Sequence, residues 1–159
     1  MPFHRILVPV DGSATALQGL DKAVELARAL SARLFLLHVS ETAPITVAAD
    51  GVVFSPQLVD DLHNAGRDIL AEAAARVKAQ GVDCETSQSD AMGPGVPAAI
   101  VAEANRVNAD LIVIGTHGRT GLRRALLGSA AETIERETTI PVLLVHSVPP
   151  AAATAATTS

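Results

Sequence analysis

Four short, uninterrupted apolar runs constrain this chain most: "RILVPV" at 5–10, "RLFLLHV" at 33–39, "DLIVIG" at 110–115 and "PVLLVHS" at 141–147. A strand with one wet face alternates polar and apolar residues. A continuous run has no wet face and needs cover on both sides. Longer stretches with helical spacing lie between the runs. Residues 15–31 carry Leu17, Leu20, Val24, Ala27 and Leu30 on one side, and residues 57–79 carry Leu58, Leu62, Ala65, Ile69, Ala73 and Val77. Two shorter helices are predicted, over about 97–108, with Pro97 in its first turn, and over about 126–138. Ser13 in "DGSA" is a candidate N-cap, and Gly81 a helix stop. "CETSQS" (84–89) reads as a weak, polar strand near a sheet edge.

The order β-α-β-α-β-α-β-α-β, with continuous apolar strands, implies an α/β fold: an open parallel sheet with helices on both faces. Right-handed crossovers leave few topologies. Ligands of such sheets bind outside the carboxyl ends of the strands, where strand order reverses. In the order 3-2-1-4-5 the reversal lies between the strand ending in "PVDGS" and the strand ending in "GTHG". Residues 41–55 read as a loop. From Pro149 onward "PPAAATAATTS" is of low complexity and is expected to be disordered, which sets the domain at 1–148 and a tail at 149–159.

Composition narrows the function. The 159 residues carry a net charge of -5, and hydrophobic residues make up 48% against 2% aromatic. A chain without Trp or Tyr has few stacking platforms for single-stranded nucleic acid, and an acidic balance disfavours a general polyanion binder. No nucleic-acid partner is expected. One cysteine, Cys84, permits neither an internal disulfide nor a thiolate cluster. The apolar run near the N-terminus is too short for a signal-peptide core, and no run reaches membrane-spanning length. The expectation is a cytoplasmic protein without a membrane partner.

The segment "GTHGRTGLRRALLGSAAE" (115–132) concentrates four glycines and three arginines, and no Asp or Glu occurs from Leu111 to Ala131. Glycines let backbone amides approach an anion, and free amides at a helix start favour phosphate. A surface loop with solvated arginines is the alternative. The segment is not a Walker A sequence. "GPGVPA" (93–98) matches a loose dinucleotide pattern, but its prolines and the weak strand before it argue against that use. His4, His38, His63 and His146 lack ligand spacing and read as structural; a lone His117 makes no metal site.

The spacing G-x2-G-x9-G-[ST], formed by Gly115, Gly118, Gly128 and Ser129, together with "ILVPVDGS", "LHV", "GVPAAI", "ADLIVIGTHG" and "PVLLV", resembles the universal stress protein family, in particular its ATP-binding subgroup. The resemblance covers about residues 3–146. It implies a single open five-stranded parallel sheet in the order 3-2-1-4-5, Rossmann-like and similar to the adenine nucleotide alpha-hydrolases. It further implies that Pro9, Val10 and Asp11 lie beside the nucleoside and that Val39 meets adenine through its backbone. Gly115, Thr116, His117, Gly118, Arg119, Thr120 and Gly121 would wrap ribose and phosphates, and Gly128, Ser129, Ala130 and Ala131 would meet the phosphates at the start of the last helix. Two features depart from the family: Val96 stands where a small polar residue is common, and the third strand is unusually polar.

The implied ligand is ATP, with Mg²⁺ held through its phosphates. The phosphate loop offers neither a carboxylate base nor a P-loop lysine, so no catalysis beyond weak ATP hydrolysis is expected. The reading is an ATP-binding stress-response module. A slow Mg-dependent ATPase and a nucleotide-free dimeric scaffold are the alternatives. Family members pair the last strand with a second copy, so a homodimer through residues 141–147 is expected.

Overall fold

The structure, a computed structural model, describes residues 3–42, 47–48, 51–52, 56–91, 95–116 and 124–146. Five strands form one parallel sheet: β1 (Arg5–Pro9), β2 (Arg33–Glu41), β5 (Cys84–Ala91), β6 (Leu111–Gly115) and β7 (Val142–Val145). Their spatial order is β5-β2-β1-β6-β7, the expected 3-2-1-4-5 once the strands of this sheet alone are counted. Two further strands, β3 (Val47–Ala48) and β4 (Gly51–Val52), form a small antiparallel hairpin inside the segment read as loop. The hairpin escaped the pattern because two-residue strands carry no periodicity. The tail from Pro149 lies outside the described residues.

Among the described residues four helices cover the sheet: α1 (Ala14–Leu30), α2 (Pro56–Ala79), α3 (Val96–Arg106) and α4 (Arg124–Glu137). Strand residues alternate between two cores. Ile6, Val8, Leu34, Leu36, Leu111 and Val113 pack with α1 and α2. Leu7, Phe35, Leu37 and Ile112 pack with α3 and α4. This two-sided burial is why the runs are continuous in sequence.

Helix ends follow local chemistry. The Ser13 hydroxyl accepts from the Ala16 amide at 3.1 Å, the N-cap expected for α1. Pro97 sits in the first turn of α3, where no amide is needed. Gly81, at φ +77°, turns the chain after α2. α4 starts at Arg124 rather than near 126, because "RALL" holds good helix formers and no breaker. The face of α2 also differs from expectation. Ala65 is exposed, and the buried line runs through Gly66, Leu70, Ala73, Ala74 and Val77. Gly66 turns inward because a polar layer, His38 on β2 and Gln88 on β5, lies beneath it. A Cβ on Gly66 would lie 2.6 Å from His38 Cδ2 and closer still to Gln88 Nε2.

Candidate functional site

The parallel sheet brings the carboxyl ends of β2, β1 and β6 side by side, with the order reversing between β1 and β6. Three stretches named from sequence meet there: Pro9–Asp11, Val39 and Gly115–Thr116. The register places Pro9 opposite Leu37, two residues before Val39.

Beyond β1 the chain turns sharply. Val10 donates to the Leu37 carbonyl at 2.8 Å, and its side chain is buried in the α1–α2 core. Asp11 Oδ1 accepts from the Ser13 amide at 2.8 Å, the aspartate turn that a local reading of "DGS" expects. Among the described residues Oδ2 has no protein partner, so one carboxylate oxygen shapes the turn and the other is left over. Gly12, at φ +81°, supplies the left-handed step between them.

Gly115 has a packing reason for being glycine. A Cβ there would overlap the Thr15 carbonyl oxygen in the first turn of α1. Reciprocally, a Cβ on Gly19 would lie 2.8 Å from the Gly115 amide nitrogen. The pair lets α1 rest directly on the end of β6. Gly19 was not singled out from sequence, although a glycine inside a helical pattern signals a close backbone approach. Thr116 turns toward β7. Its amide donates to Val145 O at 2.8 Å, and its hydroxyl lies 3.3 Å from that oxygen and 3.0 Å from His146 Nδ1. The hydroxyl is thus used within the protein.

His117, Gly118, Arg119, Thr120 and Gly121 lie outside the described residues. Gly128, Ser129, Ala130 and Ala131 fall in the second turn of α4, not at its start. Amides there are used within the helix.

Two other histidines have structural partners. His38 Nδ1 lies 2.9 Å from Val10 O, and His63 Nε2 lies 2.8 Å from Asp90 Oδ1. Burial pushes the Cys84 thiol above its ordinary range, outweighing the opposing pull of Lys78, which disfavours a reactive thiolate. Among the described residues no cluster of three His, Cys, Asp or Glu could hold a metal, and no helix is long and apolar enough to cross a membrane. His38 is the residue that sequence reasoning undervalued. Its one signal was a histidine inside the apolar run "LFLLHV".

Fold and site together define a doubly covered parallel α/β protein whose candidate ligand site lies at a topological switch point. The model of the universal stress protein family matches residues 2–146, and the chain belongs to that family. It is similar to the universal stress protein YxiE of Bacillus subtilis, with 35% identity over 151 residues, 91% of this chain and 99% of the relative. Among solved structures it resembles a universal stress protein from Burkholderia pseudomallei at TM-score 0.72 and 32% identity, covering 90% of this chain and 96% of that one. A universal stress protein in complex with cAMP matches at TM-score 0.65 and 29% identity, covering 92% and 98%.

Proposed function

We propose that this chain is an ATP-binding regulatory module of the cytoplasm, its nucleoside held at the switch point and its phosphates by the segment 115–124. The observation that carries the reading is the convergence of Pro9–Asp11, Val39 and Gly115 at adjacent carboxyl ends of β1, β2 and β6. Asp11 suits a ribose hydroxyl, because Oδ2 is free to accept. Val39 offers backbone groups to a base. The acid-free segment with Arg119, Arg123 and Arg124 suits a polyanion, with Mg²⁺ bound through the phosphates themselves. The similar protein solved with cAMP supports an adenine nucleotide as the ligand class.

The module acts as a homodimer. β7 is a sheet edge, and Leu143 and Leu144, on opposite faces of it, are 37% and 39% exposed. The other edge, β5, is polar, with Glu85 and Asp90 exposed, which discourages pairing. A second copy laid along 141–147 would cover both leucines.

The test is nucleotide content and ATP affinity of the purified protein beside Gly118→Glu. Glutamate adds bulk and negative charge where phosphate would lie. Wild-type binding that the variant loses supports the reading. If the wild type binds no adenine nucleotide, the reading is wrong and the family fold serves as a scaffold.

A further inference from the structure

We infer that His38 is a positioning residue that holds open the base-recognition end of the candidate site. This rests on the nucleotide reading above and adds a device to it.

The hydrogen-bond ladder of β2 sets what its end can offer. Along a parallel strand flanked on both sides, successive residues turn their N–H and C=O toward alternate neighbours. Arg33 donates to His4 O at 2.9 Å, and Leu37 O accepts from Val10 N–H at 2.8 Å, so the odd residues of β2 face β1. Leu34 donates to Asp83 O at 3.1 Å, so the even residues face β5. Val39 is odd. Its N–H and C=O therefore turn to the β1 side, just past the point where β1 ends at Pro9.

Continued one step, the ladder would carry a bond from Val39 N–H to Val10 O. That bond is not made among the described residues. The Val10 carbonyl instead lies 2.9 Å from His38 Nδ1. A carbonyl only accepts, so Nδ1 carries the hydrogen, which fixes the tautomer. The ring is seated from above by α2, whose Gly66 leaves room for it: a Cβ there would lie 2.6 Å from His38 Cδ2.

The consequence is a donor and an acceptor on one residue, presented side by side at the end of β2 and not consumed by β1. A purine edge with an acceptor beside an amino donor, as in adenine, takes both. Guanine reverses donor and acceptor at those positions and takes them poorly in the same orientation. His38 thus does two things. It fixes the exit of β1 at Val10–Asp11, and it keeps Val10 O from closing onto the Val39 amide.

The experiment compares wild type with His38→Leu, which keeps volume without the donor, and His38→Asn, whose side-chain amide restores a donor near the Nδ1 position. Circular dichroism and thermal melts establish that each variant is folded. Backbone amide hydrogen exchange at Val39, followed by NMR without nucleotide, reads the device directly. Fast exchange in the wild type and in His38→Asn, with protection in His38→Leu, is expected. ATP affinity should fall about five- to tenfold in His38→Leu, the scale of one hydrogen bond, and return to within about twofold in His38→Asn. The preference for ATP over GTP should shrink in step.

A Val39 amide already protected in the nucleotide-free wild type overturns the inference. So does a His38→Leu variant with wild-type affinity and discrimination. A wild type that binds no adenine nucleotide overturns the functional reading instead, and the exchange result still decides whether His38 holds the strand end open. If His38→Leu fails to fold, Gly66→Ala crowds the ring from α2 and should lower ATP affinity in the same direction; unchanged affinity there counts against the inference.

Discussion

Replacing Gly115 by alanine tests a close backbone approach between α1 and β6. The added Cβ would overlap the Thr15 carbonyl oxygen and lie 2.8 Å from its carbon and 3.3 Å from Ala16 Cα. All three are main-chain atoms of the first turn of α1, so no side chain can swing away. Either α1 lifts at its N-terminus or β6 bends. Overpacking of a rigid site costs about 1–3 kcal/mol, and a helix backbone as obstacle places this case near the top, about 3 kcal/mol. For a chain of this size that corresponds to a melting temperature lower by about 6–12 °C. The assay is urea and thermal denaturation at fixed protein concentration. Gly81→Ala is the control: nothing lies within 4 Å of its Cβ, so only the strain at φ +77° remains, about 1 kcal/mol. Gly19→Ala meets the same contact from the helix side, so the double variant should lose less than the sum of the singles. A Gly115→Ala protein within about 0.5 kcal/mol of wild type, or no worse than Gly81→Ala, would refute the packing account.

Three further outcomes are expected. Leu143→Lys with Leu144→Lys should convert a dimer into a folded monomer by light scattering; a wild type already monomeric at micromolar concentration would sink the edge-pairing proposal. Ser13→Ala removes the cap on Ala16 N–H and should cost about 1 kcal/mol in denaturation, with Ser13→Thr losing less. Glu103 receives hydrogen bonds from Arg106 and Ser87, and the Arg106 guanidinium first, against the cost of burial, holds its carboxyl below the usual range. A carboxyl lowered in the folded state stabilises above its unfolded pKa, about 4.3, and that share is lost as pH falls through the lower folded value. Stability measured from pH 7 downward should therefore drop less steeply below about pH 4.3 in Glu103→Gln; parallel curves would remove Glu103 from the acid response.

The architecture was open to reading because it depends on burial, and burial writes itself as pattern. Continuous runs such as "RILVPV" and "DLIVIG" announced strands covered on both faces, and Ser13, Pro97 and Gly81 marked ends through local backbone chemistry. The polar run at Cys84–Ser89 likewise identified an edge strand. The sequence alone also named the stretches that converge at the switch point. It could not say which backbone meets which. That Gly115 and Gly19 face each other across α1 and β6, that α2 turns Gly66 rather than Ala65 inward, and that His38 takes the Val10 carbonyl are properties of packing between segments distant in the chain. Local residue preferences act over a few positions, whereas these contacts exist only once the sheet has set its neighbours. For the same reason His38 read only as structural from sequence, and tertiary structure placed its ring against the Val10 carbonyl at the end of β1.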